Sequence, residues 1–200
     1  MSHPLLFAFV VFASVMYFTP GPNNIIVLSS GLNHGFRHTI PAIAGITFGC
    51  AFMVAAAGLG FGTIFVVYPV LQTILKYAGA AYLIYLAAAI AMSEPVAPGQ
   101  DNRRRPMTFW GAVLFQWVNV KGWVMVIGTI TAYAGIASFP WNIVIQVGLC
   151  LLLGVTATST WALSGSSLRS LMTSPRAVRV FNIVMAALLL ASLYPVFMDA

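Results

Sequence analysis

Apolar residues run through this chain in long stretches, with short polar clusters between them. No Lys, Arg, Asp or Glu occurs in 4–36, 38–75, 77–93, 122–168 or 180–198. A bilayer core of about 30 Å is crossed by roughly 20 apolar residues in a helix. The runs therefore predict membrane-spanning helices, and the longer runs must hold two. Pro, Gly and charge punctuation divides the chain into six candidate spans, at roughly 5–32, 40–64, 69–92, 108–134, 141–165 and 178–197. The expected fold class is an all-α integral membrane protein, one transmembrane domain over residues 1–200.

Composition supports that reading. Of the 200 residues, 60% are hydrophobic and 6% charged, against about 25% charged in a soluble domain. So few charges cannot coat a water-facing surface. The net charge of +6 does not indicate nucleic-acid binding, because the cations sit in short loops between apolar runs. The start, Met1-Ser2-His3-Pro4, puts no positive charge before the first apolar run. It is expected to remain as a helix rather than serve as a signal peptide. Cys50 and Cys150 are isolated in apolar stretches, neither a disulfide framework nor a metal site. They read as packing residues, and no cofactor or metal is expected.

Charge sets an expected direction. With six spans, the loops 33–39, 94–107 and 166–177 fall on one side. They carry Arg37, Arg103, Arg104, Arg105, Arg169 and Arg176, with Arg179 at the next helix entrance. The other side holds both termini and the turns near 65–68 and 135–140, with Lys76 set a little way into a helix. By the positive-inside rule the cation-rich side is cytoplasmic, so both termini are expected outside. Tyr68, Trp110, Phe139, Trp141 and Tyr194 lie near the span ends, where amphipathic rings prefer to sit.

Two spans contain faults. The first holds Thr19-Pro20-Gly21-Pro22-Asn23-Asn24. Each proline removes an N–H and clashes with the preceding turn, and the glycine between them is the most flexible residue. No continuous helix survives this, yet neither flank is long enough to span alone. The segment is either a broken helix or a re-entrant hairpin. Either form exposes backbone polar groups at membrane depth, which is tolerated where they are buried in protein or line a cavity. The half-helix N-terminus at Asn23 and Asn24 suits an anionic group such as a carboxylate.

The second fault is Gln116-Trp117-Val118-Asn119-Val120-Lys121-Gly122, in the middle of the fourth span. A lysine at a helix centre costs about 2.5–3.5 kcal/mol on insertion scales. Gln116 and Asn119 share a face. Lys121 joins them only if the helix unwinds there. Lys121 either meets a ligand or is held by carbonyls freed at the first fault, and in both cases it lines the cavity. Each fault lies in the first helix of a three-helix half, so residues 1–93 and 108–200 read as an inverted-topology repeat about a hinge at 94–107. Gly45 and Gly49 form a small-xxx-small pair suited to close helix packing. Thr156, Thr158, Ser159 and Thr160 either bond across helices or line the path.

Thr19-Pro20-Gly21-Pro22-Asn23, then Gly31, Gly35-Phe36-Arg37, Gly45-xxx-Gly49 and Tyr77-Ala78-Gly79-Ala80-Ala81-Tyr82-Leu83, resemble the lysine-exporter/RhtB (LysE) family of bacterial amino-acid exporters. The resemblance covers essentially the whole chain. The family usually shows Asn-Pro-Lys in the fourth helix, where this chain has Asn119-Val120-Lys121. The run Phe115 to Lys121 is most like the cysteine/O-acetylserine exporter branch. The resemblance implies efflux of small neutral amino acids from the cytoplasm across the bacterial inner membrane.

These readings combine into alternating access around a midplane site made of Pro20, Gly21, Pro22, Asn23, Asn24, Gln116, Asn119 and Lys121. The substrate carboxylate is expected between Lys121 and the half-helix N-terminus. Glu94, Asp101 and Asp199 are the only acids, all in loops or at the end, so Lys121 is the group left to carry protons if transport is proton-coupled. An uncoupled channel, or a lipid or other small-metabolite transporter of the same architecture, are the alternatives. A membrane enzyme has little support, because His3, His34 and His38 are terminal or in one loop.

Overall fold

The computed structural model describes residues 1–61, 67–93, 106–172 and 174–194. The helices are α1 His3–Phe18, α2 Pro22–His34, α3 Phe36–Gly58, α4 Pro69–Ala91, α5 Phe109–Val118, α6 Val120–Ala132, α7 Trp141–Leu171 and α8 Pro175–Ala191, with a 3₁₀ turn at Ala134–Ile136. Among the described residues there is no strand. Residues 94–105 of the expected hinge, with Glu94, Asp101 and the three arginines, lie outside the described residues, as does Asp199.

Three helical stretches, Phe36–Gly58, Thr73–Ala91 and Trp141–Leu168, are long and apolar enough to cross a membrane. The bent pairs α1–α2 and α5–α6 bring that number to five when each is one span. Helix α8 has 17 residues, at the lower end of what crosses a bilayer. Tyr68, Trp110, Phe139, Trp141 and Tyr194 are all exposed, as rings at a membrane interface would be.

The helix ends follow local chemistry. Thr19 precedes a proline, which disfavours the helical region; it adopts φ −66, ψ 143 and ends α1. Pro22 then opens α2 at the position where a missing N–H costs nothing. Gly35, at φ 82, turns the chain directly into α3. The expected 33–39 loop is therefore a single residue, and Arg37 and His38 sit exposed on the first turn of α3. Thr108 caps α5, its hydroxyl accepting from the Gly111 N–H at 3.1 Å. The expected 166–177 loop also shrinks, because α7 continues to Leu171. The hydroxyls of that helix bond within it rather than across helices: Thr156, Thr160 and Ser164 each donate to the carbonyl four residues back. This meets their hydrogen-bonding need locally.

A small apolar cluster joins Val27, Ile43, Ile46, Ala112 and Ala162, and two larger ones hold the bundle. One joins Phe9, Tyr17, Met53, Val126 and Cys150 from α1, α3, α6 and α7. The other joins Ile25, Leu83, Phe115 and Leu189 from α2, α4, α5 and α8. Between them runs a seam where backbones touch. A Cβ on Gly31 would lie 2.2 Å from the Ala162 carbonyl oxygen, and one on Gly165 2.0 Å from that of Leu28. Helices α2 and α7 thus meet backbone to backbone at these two glycines, as small residues permit in membranes. Gly45 and Gly49 do the same for α3 against Phe109, Val113 and Gln116 of α5, in keeping with their packing role.

A buried amide pair ties α2 to α8. Asn33 and Asn182 each donate to the other, at 3.0 and 3.2 Å, and Asn182 also donates to the Ser93 carbonyl. Asn182→Ala is expected to cost about 1–2 kcal/mol, since it leaves the Asn33 amide oxygen without its donor. Thermal unfolding in detergent would read this as a lowered midpoint; an unchanged midpoint would show the pair to be energetically idle.

Candidate functional site

The two helix breaks face one another. The axes of α1 and α2 bend by 50° at Thr19–Gly21, and those of α5 and α6 by 71° at Asn119. The second break forms without proline: Asn119 leaves the helical region at φ −84, ψ 101 and serves as both the end of α5 and the cap of α6. Lys121 in the first turn of α6 can therefore reach the first break. Its Nζ donates to the Thr19 carbonyl and hydroxyl, both at 2.8 Å, and to the Pro20 carbonyl at 3.3 Å. Lysine thus occupies carbonyls left free where the helix breaks.

Gly21 is needed for this approach. A Cβ there would lie 2.8 Å from Lys121 Cδ and 3.0 Å from Nζ. Its φ of −177 is ordinary extended backbone, so close approach, rather than unusual conformation, sets the requirement. Asn24 is buried and holds the end of α1, donating to the Tyr17 and Thr19 carbonyls at 2.8 Å. Asn23 makes a reciprocal amide pair with Gln116, at 2.9 and 3.1 Å. The Cys50 thiol donates to the same Gln116 oxygen at 3.2 Å.

These groups border a cavity of about 30 Å³, lined in part by Gly21, Asn23, Asn24, Asn119 and Lys121. Gln116 joins through Asn23. Pro20 contributes its carbonyl, and Pro22 starts the helix whose N-terminus faces the space. Five of the eight residues singled out in the two faults thus border the cavity, and Pro20, Pro22 and Gln116 stand next to it without lining it. The first-turn N–H groups of α2 and α6 have no intrahelical partners, and both helix dipoles present their positive ends here. With the Lys121 ammonium, that is a setting for an anion. The Asn119 side-chain oxygen is buried and has no hydrogen-bond partner, which offers an acceptor for a cationic N–H.

Some lining residues escape sequence reading: Met16, Tyr17, Ile46, Cys50 and Met125 also border the cavity, as does Thr158, one of the residues expected to line a path. Cys50 is therefore more than a packing residue, because its thiol reaches the site amides; its isolation in an apolar run gave no such signal. Tyr17 is buried with its hydroxyl beside the Cys150 thiol, and it lies just before the first break. Thr158 lines the cavity while donating to the Gly154 carbonyl at 2.6 Å. Among the described residues, no three His, Cys, Asp or Glu side chains come together as a metal site.

The sequence profile of the LysE type translocator family matches residues 6–192. The chain is 34% identical over 195 residues to the cysteine/O-acetylserine efflux protein of Escherichia coli strain K12, covering 94% of this chain and 95% of that one. The same figures hold for the protein of that name in Shigella sonnei strain Ss046. For Escherichia coli O139:H28 strain E24377A, identity is 34% over 196 residues, 95% of this chain and 96% of the relative. No solved structure matches.

Proposed function

We propose, from the premise that this chain belongs to the LysE type translocator family, that it exports small neutral amino acids of the cysteine and O-acetylserine kind. The observation that carries the reading is the pair of helix breaks across one cavity, with Lys121 of the second held on carbonyls of the first. A substrate carboxylate would replace those carbonyls as the partner of Lys121, helped by the N–H groups at the start of α2. The ammonium would take the carbonyls so released and the unpartnered Asn119 oxygen.

The cavity of about 30 Å³ holds one or two waters. An amino acid is several times larger, so it can enter only when helices part. That supports alternating access over a standing channel. We take the architecture to be six spans in two inverted halves, in the bacterial inner membrane, with both termini outside. The seven loop cations of the sequence reading support that orientation. The acids of the chain, Glu94, Asp101 and Asp199, all lie outside the predicted spans, so a coupled proton would have to ride on Lys121. A Lys121→Gln variant that kept transport and coupling would exclude this.

The deciding experiment is efflux from proteoliposomes preloaded with labelled cysteine, O-acetylserine, homoserine, leucine, lysine or arginine. Saturable efflux of the small neutral compounds, with exchange between them, is expected. Flux that never saturates would indicate a channel, and no flux from folded protein would remove the exporter reading. Gly21→Ala should fold, since the lysine stem can move, but should raise the KM roughly tenfold, as a loss of about 1.4 kcal/mol of binding would. An unchanged KM would detach Gly21 from the site.

A further inference from the structure

A second cavity, of about 370 Å³, lies between α2 and α4 and is lined by Ile26, Ser29, Asn33, Tyr85 and Ile90 among others. That volume is in the range of small-molecule sites. Among the described residues no Asp, Glu, Lys or Arg lines it, and His34 is its one titratable imidazole. Most of its polar groups are committed: Ser30 bonds the Thr39 hydroxyl, Asn33 bonds Asn182, and Ser93 donates to the Ala89 carbonyl. Ser29 is different. It is 2% exposed, and its hydroxyl has no hydrogen-bond partner.

Helix register connects this space to the central site. At 100° per residue, Asn23, Ile26, Ser30 and Asn33 fall within about 80° of one another on α2. Asn23 lines the central cavity, and the other three line the second. Leu28, Gly31 and Leu32 lie roughly opposite, where α2 is sealed against α7 backbone to backbone. A solute moving along α2 therefore has one face available. Ile26 interrupts it between the two cavities, buried in one cluster with Leu83 and Phe115.

We infer that the α2–α4 cavity is a vestibule, a second binding site that holds the substrate before Ile26 yields and admits it to Lys121. It would take a small zwitterion of no net charge, solvated by hydroxyl and amide groups and by water. The inference rests on the exporter reading, and names the route to that same site.

Cysteine labelling tests it. Ser29→Cys is nearly isosteric, and Leu28→Cys samples the sealed face. Each would be treated in proteoliposomes with a small water-soluble cationic methanethiosulfonate, and the adduct located by peptide mass spectrometry. Labelling at 29 and not at 28 is expected, slowed severalfold by excess O-acetylserine, with efflux reduced tenfold or more in the labelled protein. Ile90→Cys enters the same space from α4 and serves where Ser29→Cys does not fold. Equal labelling at 28 and 29, no labelling at either 29 or 90, or labelling that leaves efflux intact would overturn the vestibule alone. Absence of efflux from unlabelled wild type would instead bring down the exporter reading, and the vestibule with it.

Discussion

Lys121→Ala is expected to abolish saturable efflux while leaving the protein folded. The ammonium makes its three hydrogen bonds to Thr19 and Pro20, and its removal leaves two carbonyls without that donor beside a cavity with room for one or two waters. The stability loss should stay within about 1–3 kcal/mol. Binding is another matter. A hydrogen bond to a charged group contributes about 1.5–3 kcal/mol, which is roughly a factor of 10 to 100 in affinity for a substrate carboxylate. Lys121→Arg keeps the charge, but its broader head must pass the same gap over Gly21, where the lysine stem already lies within van der Waals reach. Arginine should recover part of the affinity and little of the rate. Initial efflux rates against substrate concentration, normalised to folded protein, separate these outcomes. Wild-type kinetics in Lys121→Ala would remove the lysine from the site.

Gly165→Val is expected to prevent folding altogether. A Cβ at this position would sit 2.0 Å from the Leu28 carbonyl oxygen and 3.1 Å from the Leu32 nitrogen. The obstacle is backbone, which cannot rotate aside. Helices α2 and α7 would have to separate by more than an ångström along the seam, also loosening the contact at Gly31. Overpacking of this kind costs about 3 kcal/mol or more, a large share of the stability of a small domain. Gly148→Val is the control, on the same helix with nothing within 4 Å of its added Cβ. It should change stability by no more than about 0.5 kcal/mol. Recovery of monodisperse protein in detergent reads both variants. Normal recovery of Gly165→Val would show that the seam can open without loss.

Much of this site could be read from the chain because its chemistry is local. Two prolines around Gly21 cannot continue a helix in any fold. A lysine far from any span end must find oxygen at membrane depth. The partner each fault would choose was less accessible. Asn119 breaks its helix with no proline, so only packing reveals that α6 starts at Val120. Cys50 becomes a site residue through Gln116, 66 positions away, and the Asn33–Asn182 pair spans 149. Pairings at such separation depend on how helices are arranged, which residue type alone does not encode. Loop lengths are hidden for a related reason. Arg37 and His38, and the serines after Ser164, look like solvent-facing turns. Helices that project past the apolar layer carry such residues without ending.

The resting place of Lys121 bears on the proposed alternating access. With its ammonium on Thr19 and Pro20, a vacant carrier of that kind would supply its own ligand and leave no bare cation at membrane depth. Its return stroke would then need no second amino acid to neutralise the site. Such a carrier can run as a one-way drain, lowering an internal pool without importing anything in exchange, and its turnover when empty should approach its turnover when loaded.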